Sequence, residues 1–174
     1  MVLLRLKQAP LSRQMISLKF FDIQIRFEVL RQENKIEASK PDELPQIIAL
    51  MKDGGLTIEG LKDASLFVLK EGDTIVGSVG LEVWGKSQGL LRSLVVSKER
   101  RGKGLGSSLV LYVIDIARKR GLEELFLLSA DVPEYYLKFG FEFVDREKVM
   151  GEVLNSAEFR GACLDTASVM KLGI

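Results

Sequence analysis

Residues 94–106 read LVVSKERRGKGLG, and the order of events inside them decides the fold. An apolar run ends in a charged turn. Glycines then stand at 102, 104 and 106, with Arg100, Arg101 and Lys103 among them, and Leu105, Leu109, Val113 and Ile116 follow at helical spacing. That spacing predicts an amphipathic helix running to about Arg120 and stopped by Gly121. The strand before it, GLLRSLVVS, is apolar nearly throughout, as expected of a strand covered on both faces. Alone, such a glycine stretch reads as a charged surface turn. Between a buried strand and an amphipathic helix it reads as a pyrophosphate site. Glycine lets backbone approach a ligand closely, and unpaired N–H groups at a helix start favour an anion. Two phosphate patterns are excluded: G-x-G-x-x-G meets Ser107 at its third glycine, and no Gly-Lys-Ser/Thr follows at the distance a phosphate loop needs.

Working outward, NKIEAS is a short strand, and KPDELPQIIALMKD is a helix opened by Pro41 and stopped by Gly54 and Gly55. A short helical piece is expected over 56–61. SLFVLK, the turn EGDT and IVGSVGLEVWG read as a hairpin. Downstream come a strand (LEELFLLSA), a short helix (VPEYYLKF), a strand (FEFVD), a helical segment over 147–155 and a last strand near TASVMKL. No internal repeat appears. The reading is one α/β domain over 34–174, with a central mixed sheet flanked by helices, after an extension over 1–33. In that extension DIQIRFEVL alternates as a half-buried strand, able to extend a sheet or to pair two copies in a homodimer. The extension carries Arg5, Lys7, Arg13 and Lys19 with no acid before Asp22, and its apolar runs are short for a membrane span or signal peptide. A transit-like leader and a start at Met15 are both open; the expected location is cytoplasmic, off the membrane.

Composition narrows the chemistry. The 174 residues are 47% hydrophobic and 28% charged, with net charge +1, so no overall basic field argues for nucleic acid. Histidine is absent and Cys163 is the single cysteine. That removes Ser-His-Asp and Cys-His catalysis and His-ligated zinc, and no metal is expected. Proton transfer falls to carboxylates, Tyr, Lys or water. Cys163 has no adjacent basic residue to activate it, so it reads as core or incidental.

Arg101-Gly102-Lys103-Gly104-Leu105-Gly106 matches [RQ]-x-x-G-x-[GA], and EYYLKFGFE lies downstream of it in the expected order. On these two motifs, residues 34–145 resemble the GNAT acetyltransferase superfamily, whose sheet is twisted and mostly antiparallel. The resemblance implies acetyl-CoA as co-substrate. Backbone N–H groups from Arg101 to Gly106 would hold its pyrophosphate, and the Ser107 hydroxyl would add a contact. Backbone along Leu94, Val95 and Val96 would pair with the pantetheine arm and polarise the thioester carbonyl. Tyr136 would protonate the departing thiolate. Where many members carry an Asn before the Tyr, this chain has Ser129, and Leu90 stands where many carry a glutamate.

Arg92 interrupts the apolar strand and needs an anionic partner. A structural pair with Glu82 across the hairpin and a clamp on a substrate acid group are equal readings. If Arg92 faces the cleft, Glu82 becomes the candidate for taking the amine's proton. The longer run GLEVWGKSQGLLRSLVV and the ending SAEFRGAC…TASVMKL resemble the group that acetylates α-amines of amino acids, including N-acetylglutamate synthase-like and phosphinothricin- or arsinothricin-type enzymes. The expected partner is therefore a small amine, with the C-terminal segment closing over it. A protein N-terminal acetyltransferase, a non-catalytic acetyl-CoA-binding module and a nucleotide-dependent enzyme are the alternatives.

Overall fold

Alternating and buried strands need a partner for every face, and the chain supplies it in one sheet. A computed structural model describes residues 35–174; the extension and its expected strand lie outside them. In chain order the elements are β1 (Ile36–Ala38), α1 (Leu44–Asp53), β2 (Ala64–Glu71), β3 (Thr74–Trp84), β4 (Gln88–Val96), α2 (Leu105–Lys119), β5 (Glu124–Ser129), β6 (Glu142–Val144) and β7 (Ser168–Gly173). The seven strands lie in the order β1-β2-β3-β4-β5-β7-β6. β4 and β5 are parallel, because α2 forms the crossover between them. All other pairs are antiparallel. This is the mixed, mostly antiparallel sheet expected.

α2 lays Leu105, Leu109, Val110, Val113 and Ala117 on one face of the sheet, against Val79, Leu81 and Leu125. Ile116 is only half-buried, since the inner stripe steps from Val113 to Ala117 and leaves it at the margin. α1 buries Ile47 and Met51 on the other face, with Val68, Ile75 and Val95. A third cluster joins Leu90 to Phe126, Val149, Val153 and Val169. β4 contributes to all three clusters, through Leu91, Val95 and Leu90. Its unbroken apolar composition follows from that position.

Two local features open the sheet. First, β4 and β5 pair only from Gln88 to Leu90, opposite Glu124 to Phe126. Beyond this both strands continue, β4 bonded to β3 and β5 to β7. Second, β4 carries a bulge. Ser78 faces Val95 and Gly80 faces Arg92, so two steps on β3 match three on β4. The extra residue is taken up with Ser93 at φ 56°, the one non-glycine positive φ among the described residues. Ser78 Oγ donates to the Ser93 carbonyl at 3.2 Å and fixes the bulge.

Between β6 and β7 the structure differs from expectation. The single helical segment over 147–155 is two short 3-10 turns, Arg146–Lys148 and Glu152–Asn155, parted by Gly151 at φ 102°. A further π-type turn, Glu158–Ala162, follows. The piece expected over 56–61 is a 3-10 turn at Leu61–Asp63, and residues 133–139 form a longer 3-10 turn.

Leu109 is fully buried where α2 crosses the sheet. Leu109→Ala should lower the unfolding free energy by about 2–5 kcal/mol, read as a lower denaturant midpoint with an unchanged slope.

Candidate active site

Where β4 and β5 part, a cleft opens, and two cavities occupy it. The first, of about 590 Å³, lies toward the glycine turn; the second, of about 440 Å³, lies toward the C-terminal turns. Tyr136, Leu94, Asp131 and Val132 line both, so the cavities meet at the end of β4.

The first cavity gathers most of the residues picked out as cofactor-binding. Leu94, Val95 and Val96 form one wall, and Arg101, Gly102, Gly104, Leu105, Gly106 and Ser107 line its other side. Lys103 is absent from that lining: it is exposed on the turn with its side chain clear of the cavity. Gly104 caps α2 at φ 83°, a left-handed conformation that favours glycine, and among the described residues no side chain caps the helix. The first-turn N–H groups are thus left for an anion. At Gly106 the requirement is space, since a Cβ there would lie 2.9 Å from the Tyr135 hydroxyl. Arg101 Nε donates to the Val96 carbonyl at 3.0 Å and ties the turn to the strand.

Sequence reading did not single out Lys138. It follows Tyr135 by one turn, donates to Ser107 Oγ at 3.0 Å, and lies 4.0 Å from the Tyr135 ring centroid. Ser107 Oγ also shares a hydrogen bond of 3.2 Å with the Tyr135 hydroxyl. Lys138 thus adds a cation to the mouth of the glycine turn.

Tyr136 is 8% exposed and packs edge-on against Tyr135 and Phe141. Burial, then the charges of Tyr135 and Glu158, push its hydroxyl well above the usual phenol range. It therefore stays protonated at any physiological pH, the state a proton donor must hold.

Arg92 and Glu82 meet as the strand register dictates, since Arg92 pairs with Gly80 and Glu82 with Leu90, one diagonal apart. Arg92 Nη1 donates to Glu82 Oε1. Trp84 Nε1 donates to Glu82 Oε2 at 2.8 Å, so both carboxylate oxygens are taken. Glu82 is 1% exposed and lines neither cavity. Arg92 lines the second cavity, yet Nη1 is on Glu82 and Nη2 is on the Glu59 carbonyl. The geometry favours the structural pair: the guanidinium fork is committed inside the protein, and Glu82, hydrogen-bonded at both oxygens, opens on neither cavity.

The remaining partner of Arg92 carried no sequence signal. Glu158, on the turn after β6, brings Oε1 to 3.4 Å from Arg92 Nε. It is 6% exposed and lines the second cavity with Ser93, Cys163 and Leu164. Burial and the Glu82 charge push its carboxyl up to about 7 against the pull of Arg92. Burial and Glu158 likewise raise the Cys163 thiol. Among the described residues, no group of three or more His, Cys, Asp or Glu is arranged to hold a metal.

Comparison with known proteins bears on the fold and the family. The curated amino-acid acetyltransferase of Neisseria meningitidis serogroup A is 23% identical over 124 residues, covering 66% of this chain and 28% of the relative. This chain therefore spans well under a third of that relative's length. The N-acetylglutamate synthase from Neisseria gonorrhoeae, solved with coenzyme A and N-acetyl-glutamate, superposes with TM-score 0.69 at 19% identity, over 80% of this chain and 35% of that one. Rv2747 from Mycobacterium tuberculosis, solved in complex with CoA and NLQ, gives TM-score 0.66 at 22% identity, over 80% of this chain and 98% of the other. Likeness at this level speaks for a shared fold. Residues 27–141 match the acetyltransferase (GNAT) family, a stretch that takes in the parted strands, the glycine turn and Tyr136, and the chain belongs to that family.

Proposed function

We propose that this chain is an acetyl-CoA-dependent N-acetyltransferase that passes the acetyl group directly to the amine of a small amino acid or amino-acid analogue. The observation that carries this reading is the junction of two cavities at Tyr136, one beside an anion-ready glycine turn and one walled by the C-terminal turns. The first cavity suits the co-substrate: an uncapped helix start and the Lys138 ammonium face its phosphates, and Gly106 leaves room where a side chain would intrude. When bound there, it supplies an acyl group already activated as a thioester. Among the described residues no strand pairs with the β5-facing edge of β4 past Leu90, which would leave the backbone of 94–96 open to amide groups and to the thioester oxygen. Tyr136 then donates its hydroxyl proton to the departing sulfur.

Direct transfer is supported by the absence of histidine and by the raised Cys163 thiol, which stays protonated and poorly nucleophilic at neutral pH. A small acceptor is supported by the wall of Glu158, Ala162, Cys163 and Leu164, which bounds the second cavity. Its charged lining is Arg92, Asp131 and Glu158, with Arg92 already paired. Such a lining favours an acceptor that presents its amine to the carboxylates. Arg92 is then a support for the cavity wall in place of a substrate clamp. A boundary at 33/34, a homodimer and a cytoplasmic location go with this reading as proposals. Among the described residues no helix is long and apolar enough to cross a membrane.

The test is CoA release from acetyl-CoA across free amino acids, acidic analogues, polyamines and short peptides, with products identified by mass. Turnover on free amino acids supports the proposal, and turnover on peptides alone overturns its acceptor class. Tyr136→Phe should lower kcat by roughly 10²-fold or more, the range of a lost proton donor, with acetyl-CoA affinity unchanged by calorimetry. Arg92→Met leaves Glu82 and Glu158 without their counter-charge and should destabilise the fold by about 3–5 kcal/mol, read in a denaturant melt without substrate.

A further inference from the structure

Two carboxylates flank Arg92, and they are not equivalent. Both Glu82 oxygens accept hydrogen bonds, from Arg92 and from Trp84. No hydrogen bond among the described residues ends on the Glu158 carboxylate, although it lies against Arg92 Nε and lines the second cavity. Two further polar atoms on that cavity, Arg92 Nε and Ser93 Oγ, are buried without a hydrogen-bond partner. Buried polar groups in native proteins are almost always satisfied, so two unmet atoms just behind this lining single the cavity out as a polar site.

The position of Glu158 is built. The turn Glu158–Ala162 reverses at Gly161, with φ 111°. Phe159 is held against Phe126 with ring centroids 6.5 Å apart, and Arg160 bonds Asn155 Oδ1 at 2.7 Å on the outside. With the two residues after it anchored in this way, Glu158 is turned toward Arg92 and the cavity. Asp131, the other acid on the lining, is exposed at the mouth.

We propose that Glu158 is the base on the acceptor side: its carboxylate receives the ammonium form of a primary amine, holds it beside the bulge at Ser93, and removes the proton that blocks attack. This rests on the acetyltransferase reading above and adds the group that makes the amine nucleophilic. One N–H bond of the ammonium breaks as an O–H bond forms on Glu158. The freed nitrogen lone pair forms the C–N bond, and the C–S pair leaves on sulfur, which takes the Tyr136 hydroxyl proton. The surplus proton on nitrogen returns through water to the Tyr136 oxygen, and Glu158 releases its proton to solvent. One ammonium and one thioester thus give one amide, one thiol and one proton. The charged and titratable groups around Glu158 are Arg92 from β4, Glu82 from β3, Tyr136 from the turn after β5, and Cys163 on its own segment. A carboxyl titrating at about 7 is matched to taking up and releasing a proton near neutral pH.

The experiment is the pH dependence of kcat/KM for the acceptor, in the full chain and in Glu158→Gln, alongside acetyl-CoA affinity and melting temperature. In the wild type, activity should fall on the acid side below about 7 as Glu158 protonates. Glu158→Gln should lose about 10²–10⁴-fold in kcat and should lose that acid limb, with acetyl-CoA affinity kept. Its melting temperature above pH 7 should be no lower than the wild type's, because ionised Glu158 opposes folding there: the folded carboxyl titrates higher than the unfolded one. An aminooxy acceptor, neutral without a base, should recover most of the lost rate. A variant that keeps rate and limb overturns the proposal, as does one whose loss follows weaker acetyl-CoA binding or a lower melting temperature. If Glu158→Gln does not fold, Glu158→Asp carries the test: a moved limb with reduced kcat supports the base, and an unmoved limb overturns it. A wild-type chain that turns over no amine removes the acetyltransferase reading and this one together. Wild-type turnover with an indifferent Glu158 removes this one alone.

Discussion

β4 must leave β5 after Leu90 while staying bonded to β3, and the rest of the site depends on that separation. A parallel pair that ran its full length would satisfy its own backbone and close the sheet. Here the pairing stops after three residues, and the two covering helices keep both strands in place. α2 holds the face through Leu109 and Val113, and α1 holds the other through Ile47 and Met51. The edge of β4 past Leu90 is therefore held by packing although no strand among the described residues pairs with it there, as the proposed pairing with an extended ligand arm would require.

The acceptor side depends on a different balance. Arg92 in the middle of a buried strand is tolerable because Glu82 neutralises it one diagonal away and the Glu59 carbonyl takes its other end. Glu158 then adds a second negative charge to a neutral pair. Burial raises its carboxyl, with the Glu82 charge adding to the rise and Arg92 opposing it, so the environment that seats the structural pair also sets Glu158. Burial of the Tyr136 hydroxyl has a related effect, keeping its proton on oxygen in the resting protein.

Much of this was legible in residues 94–106 and in EYYLKFGFE, because glycine spacing and helix periodicity are local properties. The Arg92–Glu82 pair was legible too, since a hairpin fixes its own register. Glu158 was not: it reaches Arg92 only through the path of two short turns and a π-type turn, and no periodicity marks it. The expected helix over 147–155 hid that path, and Gly151 was the unheeded sign. Ser93 was silent for another reason. A one-residue bulge leaves composition and alternation nearly unchanged, and serine gives no hint of a positive φ. Lys103 was picked as part of the Arg101–Gly106 backbone stretch; the side-chain cation that bonds into the glycine turn is Lys138, which carried no such motif signal.

The bulge at Ser93 also divides β4 into two independently editable halves. Before it, Leu90 and Arg92 answer to Glu82 and the C-terminal turns, while Leu91 packs under α2. Residues after it, from Leu94 to Val96, answer to α1, α2 and the glycine turn. Because the added residue resets the alternation, a change on one side need not propagate as a register error into the other. On the proposed reading, a lineage built on this scaffold can diversify its acceptor by rewriting the half before the bulge and the turns around Glu158. The half beside the glycine turn, which would hold the common donor, need not be reinvented each time.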